Sequence, residues 1–110
     1  MKAELILTEA VRLVGIPNLD ESLKTTGLTF INTALADVCL LRVESLQDNI
    51  SNLTEEQLQA VISGTAMFVA NALGLSDTRA AFSDDFHRRV AKLRCKTEKI
   101  TDKTPKGDWL

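Results

Sequence analysis

Tyrosine is missing from this 110-residue chain, and the remaining aromatics are four Phe and one Trp. There is one His, there are two Cys, and the five Gly stand singly. Each scarcity excludes something. A lone histidine, His87, has no companions for a metal ion or a nucleophile, and both chemistries need several groups together. Isolated glycines build no phosphate loop, and no dinucleotide fingerprint is present. Cys39 and Cys95 lack metal-type spacing. Cys39 lies in an apolar run and reads as a buried small hydrophobe. Cys95 lies among charges and reads as an exposed free thiol, with a Cys39–Cys95 disulfide as the less favoured alternative. The first residues have neither the basic start nor the unbroken apolar core of a signal peptide. A cytosolic chain is therefore expected, and the sequons at Asn49 and Asn52 carry no meaning there.

What is present suits a single soluble domain. Hydrophobic residues make up 45% and charged residues 25%, with Ala and Leu, both good helix formers, prominent. A chain of this size buries roughly two-thirds of its unfolded surface, a real but modest core. The net charge of −2 hides an asymmetry. From Arg79 to Lys106 nine basic residues face four acidic ones, a net of +5; the remainder holds four basic and eleven acidic residues, a net of −7. An acidic body with a basic end can steer a nucleic acid or an acidic partner. A solvated helix face with a polar tail has the same composition.

The organising stretch is Thr54 to Leu73. Thr54-Glu55-Glu56-Gln57 has the pattern of a capping box, and its two carboxylates suit the positive end of the helix dipole. Leu58, Val61, Ile62, Thr65, Val69, Ala72 and Leu73 recur at helical spacing. A helix so nearly apolar all round is covered on several sides, by its own bundle or also by another subunit. Gly64 and the polar start argue against a membrane span. Gly74 reads as the C-terminal cap, and Ser76 or Asp77 as the cap of the next helix. A helical hairpin follows.

The other segments fall around it. Met1–Val14 reads as a helix with a stripe of Ala3, Ile6, Leu7, Ala10, Leu13 and Val14, stopped by Gly15-Ile16-Pro17. Residues 20–44 read as a second helical segment, with Gly27 as a possible division. Its apolar face is Phe30, Ile31, Ala34, Leu35, Val38, Leu40 and Leu41; a strand at Val38–Val43 is the competing assignment. Val43–Leu53 is a polar crossover pinned by Leu46, Ile50 and Leu53, longer than most helix–helix links. From Asp77 to about Lys99 a last helix carries Phe82, Phe86, Val90 and Leu93 inward. Asp84–Arg88 and Asp85–Arg89 are expected as ion pairs one turn apart. Residues 100–110 read as a flexible basic tail ending in Trp109-Leu110. That end is either frayed, folded back, or an apolar anchor for a neighbour.

Chemistry is hard to find. Asp84 and Asp85 are adjacent on a helix and diverge, so they form no acid/base pair. Ser63, Ser76 and Ser83 have no motif around them. The expectation is no enzyme, no catalytic residue, no cofactor and no metal. DNA binding has Arg88, Arg89, Lys92, Lys96 and Lys99 on one helix in its favour. Against it, the helix after the turn opens with acids where base readers present polar or basic groups.

The order of features resembles the small helical head–tail connector, or adaptor, proteins of tailed bacteriophages and prophages, over residues 1–99. The matching elements are Gly15-Ile16-Pro17 closing a short helix and Phe30-Ile31-Asn32-x-Ala34-Leu35. After the polar crossover come Gly64-Thr65-Ala66-x-x-Val69-Ala70-Asn71-Ala72-Leu73-Gly74 and then Phe82-x-x-x-Phe86 with a basic finish. The resemblance implies an all-α bundle of about four helices without catalytic residues. It also implies a homo-oligomeric ring between the portal protein and a tail or stopper protein, through which DNA passes without sequence-specific contacts. Such a protein acts in the bacterial cytoplasm during assembly and then in the virion, with no membrane partner. Arg88, Arg89, Lys92, Lys96, Trp109 and Leu110 are the interface residues it points to. A small helical regulator or a toxin-neutralising protein shares the apolar central helix and the partner-seeking tail.

Overall fold

The computed structural model describes residues 2–16, 21–39, 42–50 and 53–101, with side chains as far as residue 93. The fold is all-α. Four helices follow in order: α1 Ala3–Val14, α2 Glu21–Val38, α3 Glu55–Ala72 and α4 Ser76–Thr101. Among the described residues there is no strand, only an isolated bridge between Lys2 and Asn49.

Helix α3 is the centre, packed by α1, α2 and α4. Its capping box forms as the sequence dictates: the Gln57 backbone N–H donates to Thr54 Oγ1 (3.2 Å), and the Thr54 N–H donates to Gln57 Oε1 (2.9 Å). From Ala60 to Ala66 every residue of α3 is buried, so the helix is covered all round there. Thr65 is tolerated because its hydroxyl donates to the Val61 carbonyl at 2.8 Å, satisfying it within its own helix. The expected stripe does not hold to the end. Ala72 and Leu73 are exposed, because the last turn runs out beyond the core into the hairpin turn.

That turn closes with a Schellman motif. The Gly74 N–H donates to Asn71 O and the Leu75 N–H to Ala70 O, with Gly74 at φ 74°. Only glycine enters this left-handed region without strain. The same pair of bonds ends α1, from Gly15 to Arg12 O and from Ile16 to Val11 O. Helix α4 starts one residue earlier than expected. Ser76 is already helical, so the cap position falls to Leu75, whose carbonyl accepts from the Arg79 N–H.

Two expectations for α2 need correction. Gly27 does not divide the helix; it lies buried in an unbroken one. A Cβ there would overlap the terminal carbons of Leu7, so the glycine serves the approach of α1 to α2. The helix also stops at Val38 rather than near Glu44. The side chain of Asn32 explains the stop: its Nδ2 donates to Val43 O and its Oδ1 accepts from Val43 N, both at 2.8 Å. This paired bond fixes the returning chain as a strand neighbour would and places Val43 in the core. In α1, Val11 is buried and Leu13 is exposed, the reverse of the expected stripe; the buried arc is turned one position round because α1 packs on both α2 and α3. Leu40 and Leu41 lie outside the described residues. Cys39 is half-buried against the core.

The crossover is ordered by what α1 lacks. Lys2 supplies no side-chain cap to α1. Its first N–H groups bond instead to the crossover backbone, Ala3 to Asp48 O and Glu4 to Leu46 O, both at 2.9 Å. Asp48 Oδ2 in turn holds the Glu44 and Ser45 N–H groups. Ile50 is buried and Leu46 and Leu53 pack on the core, as expected.

Candidate functional site

The site grows from the way α4 lies against α3. The helices run antiparallel, with Ser63 facing Asp85 and Gly64 facing Phe86. Phe86 is 1% exposed, and the missing side chain at Gly64 is what admits its ring. Val90 is buried one turn on, as the sequence spacing predicted, whereas Phe82, one turn before, is only half-buried. At the rim of this contact Asp85 becomes a hub. It accepts from Ser63 Oγ at 2.5 Å, from Arg89 Nε at 2.8 Å and from Arg88 Nη2 at 2.9 Å. Partial burial alone would raise this carboxyl, but the three donors and the Arg89 charge outweigh it and hold its pKa down to about 2. The expected Asp84–Arg88 pair is replaced by Asp85–Arg88, since Asp85 has its Arg neighbours at both i+3 and i+4.

Glu56, Asp85, Arg88, Arg89 and Lys92 line an open cleft of about 240 Å³. Three of the six residues expected at an interface, Arg88, Arg89 and Lys92, therefore come together. The Lys96 side chain, Trp109, Leu110 and the expected flexible tail lie outside the described residues. Helix α4 itself continues through Thr101, past the expected end near Lys99. Sequence reading did not single out Ser63, Glu56 or the hub role of Asp85. The available signal was Ser63 as one of two hydroxyls, with Thr65, on the mainly apolar middle of α3.

The cleft is lined by charged side chains of both signs. Ser63 is buried, and its hydroxyl is committed to Asp85 with no imidazole between them. His87 is exposed on α4, with Nδ1 2.7 Å from the Ser83 carbonyl. Among the described residues, no group of three or more His, Cys, Asp or Glu is placed to hold a metal ion. No described helix is long and apolar enough to cross a membrane. Along the outward side of α4, Asp77, Arg79 and Asp84 are exposed in its first half and Arg88 and Lys92 in its second. A second surface lies at the hairpin turn, where Leu73 and Leu75 are 42% and 39% exposed. No family model matches the chain, and neither the curated proteins nor the solved structures include a match to it.

Proposed function

We propose that this chain is a head–tail connector of a tailed phage or prophage, a structural protein that assembles as a ring between the portal and the tail or stopper. The observation that carries the reading is helix α4. Its 26 residues pair with an 18-residue α3. Since Ser63 faces Asp85, the start of α3 lies near residue 93, and α4 runs on for about two turns more. A helix that outruns its partner, with Arg88 and Lys92 turned to solvent, suits contact with an adjacent component better than a self-contained core. The four-helix all-α fold is compatible with the resemblance. The protein works in the host cytoplasm during assembly and then in the virion. It performs no catalysis and needs no cofactor.

The state of the arginines weighs against DNA binding as the primary role. Arg88 and Arg89 are both engaged by Asp85, so a phosphate would compete with a carboxylate that stays ionised throughout the neutral range. A chain of net charge −2, two of whose arginines share one carboxylate, suits a passage that DNA crosses without adhering. The test is retention of the purified chain on portal-bearing capsids. Wild-type protein is expected to be retained and Arg88→Glu/Lys92→Glu to be lost while its helicity is unchanged. Equal retention of both, or a stable shift of duplex DNA at moderate salt, would overturn the reading.

A further inference from the structure

The exposed apolar turn and the sequence beyond α4 fit one another, but not within one molecule. Leu73 and Leu75 flank Gly74 and stand beside exposed Ala72, so the turn presents a small continuous apolar knob. The other two exposed leucines among the described residues, Leu5 and Leu13, are eight residues apart on α1, about 12 Å, and form no such pair. Residues 102–110 follow Thr101 and are polar until they end in Trp109-Leu110, which includes the only Trp of the chain. The turn and this segment sit at opposite ends of α4.

Length decides whose turn the segment reaches. From Leu75 to Thr101 the helix spans about 39 Å at 1.5 Å per residue. From Thr101 to Trp109 a fully extended chain spans at most about 29 Å. Stretched to its limit along the bundle, the chain leaves the Trp109 Cα about 10 Å from its own hairpin turn, a gap closed only by an outstretched indole; relaxed, eight residues span about 16 Å, less than half the distance. We infer that Trp109-Leu110 of one copy docks on the Leu73–Leu75 turn of a neighbouring copy. Donor and acceptor are different patches on the same chain, so the contact is head-to-tail, the type that builds a ring when its rotation closes and an open filament when it does not. This inference rests on the ring reading above and assigns it a linking contact.

The single Trp is its own reporter. In full-length protein, tryptophan emission should shift to the blue as concentration rises, with a midpoint that coincides with assembly seen by light scattering. Leu73→Ser/Leu75→Ser alters only exposed positions and should abolish both the shift and the assembly while far-UV circular dichroism stays unchanged. Leu5→Ser/Leu13→Ser should alter neither. The inference is overturned if the emission is independent of concentration, if the Leu73→Ser/Leu75→Ser variant still shifts, or if the shift appears only on adding portal protein. A ring that forms with unchanged emission removes the inference and leaves the connector reading standing. Failure of both ring formation and capsid retention removes the connector reading itself.

Discussion

Replacing Gly64 with alanine separates two opposed effects in the centre of the bundle. Helix propensity alone favours alanine by about 1 kcal/mol at an interior helical position. Packing opposes it. The added Cβ would stand 2.7 and 2.9 Å from Cε1 and Cδ1 of Phe86 and 3.0 Å from the Cβ of Ala34. Comfortable carbon–carbon contact begins at about 3.5 Å. Phe86 is sealed in the core and Ala34 belongs to α2, so α3 is pinched between two helices and cannot relieve one contact by moving toward the other. Overpacking of this kind costs about 1–3 kcal/mol. With two neighbours engaged the upper half of that range applies, leaving Gly64→Ala less stable by about 1–2 kcal/mol once propensity is subtracted. Urea unfolding followed by far-UV circular dichroism measures this as a lowered midpoint at constant slope. Phe86→Leu in the Gly64→Ala background should recover part of the loss, with a coupling of about 1 kcal/mol between the two sites. A Gly64→Ala protein as stable as wild type, or more so, would refute the claim that this glycine sets the α3–α4 distance.

Asn32→Asp keeps an acceptor for the Val43 N–H but sets a carboxylate against the Val43 carbonyl; destabilisation of about 2 kcal/mol is expected in urea unfolding, because a buried acceptor loses its donor. Asp85 gives a pH signature. Its folded pKa of about 2 lies below the ordinary 3.8, so its contribution is complete above about pH 5 and is lost as pH falls through 3.8 toward 2. Allowing for solvent screening of a carboxylate that remains 25% exposed, the loss is about 1 kcal/mol, and Asp85→Asn should remove that part of the acid dependence. Ser63→Ala should cost about 1–2 kcal/mol at neutral pH by deleting a hydroxyl donor to an ionised group, and should raise the Asp85 pKa measured by NMR titration.

The parts of the fold legible in the sequence were those set by neighbours in the chain. The capping box at Thr54 and Gln57, the glycine closures at Gly15 and Gly74, and the inward Phe86 and Val90 are local patterns. Periodicity therefore locates them. What escaped depends on contacts between distant residues. The end of α2 is decided by Asn32 reaching Val43, while the apolar run Val38–Leu41 suggested that the helix continued. Gly27 looked like a break because a glycine inside a helix is unfavourable in isolation; its reason is Leu7, twenty residues earlier. The site was half legible. The basic residues Arg88, Arg89 and Lys92 stand out as a cluster on one helix. The Asp85–Arg89 pair was legible from spacing; that Arg88 also turns to Asp85 rather than Asp84 was not, since Asp85 is held by Ser63 on the opposite helix, a donor that charge spacing within α4 does not reveal. Exposure of Leu73 was hidden for a similar reason, since the helical stripe of α3 continues past the point where the core ends.

Size-exclusion chromatography with light scattering over a wide concentration range, paired with electron micrographs, tests the central claim most directly. The account predicts a closed ring of one defined mass, in solution or on portal-bearing capsids mixed with the chain. A chain that stays monomeric or dimeric at every concentration and leaves those capsids undecorated would contradict it.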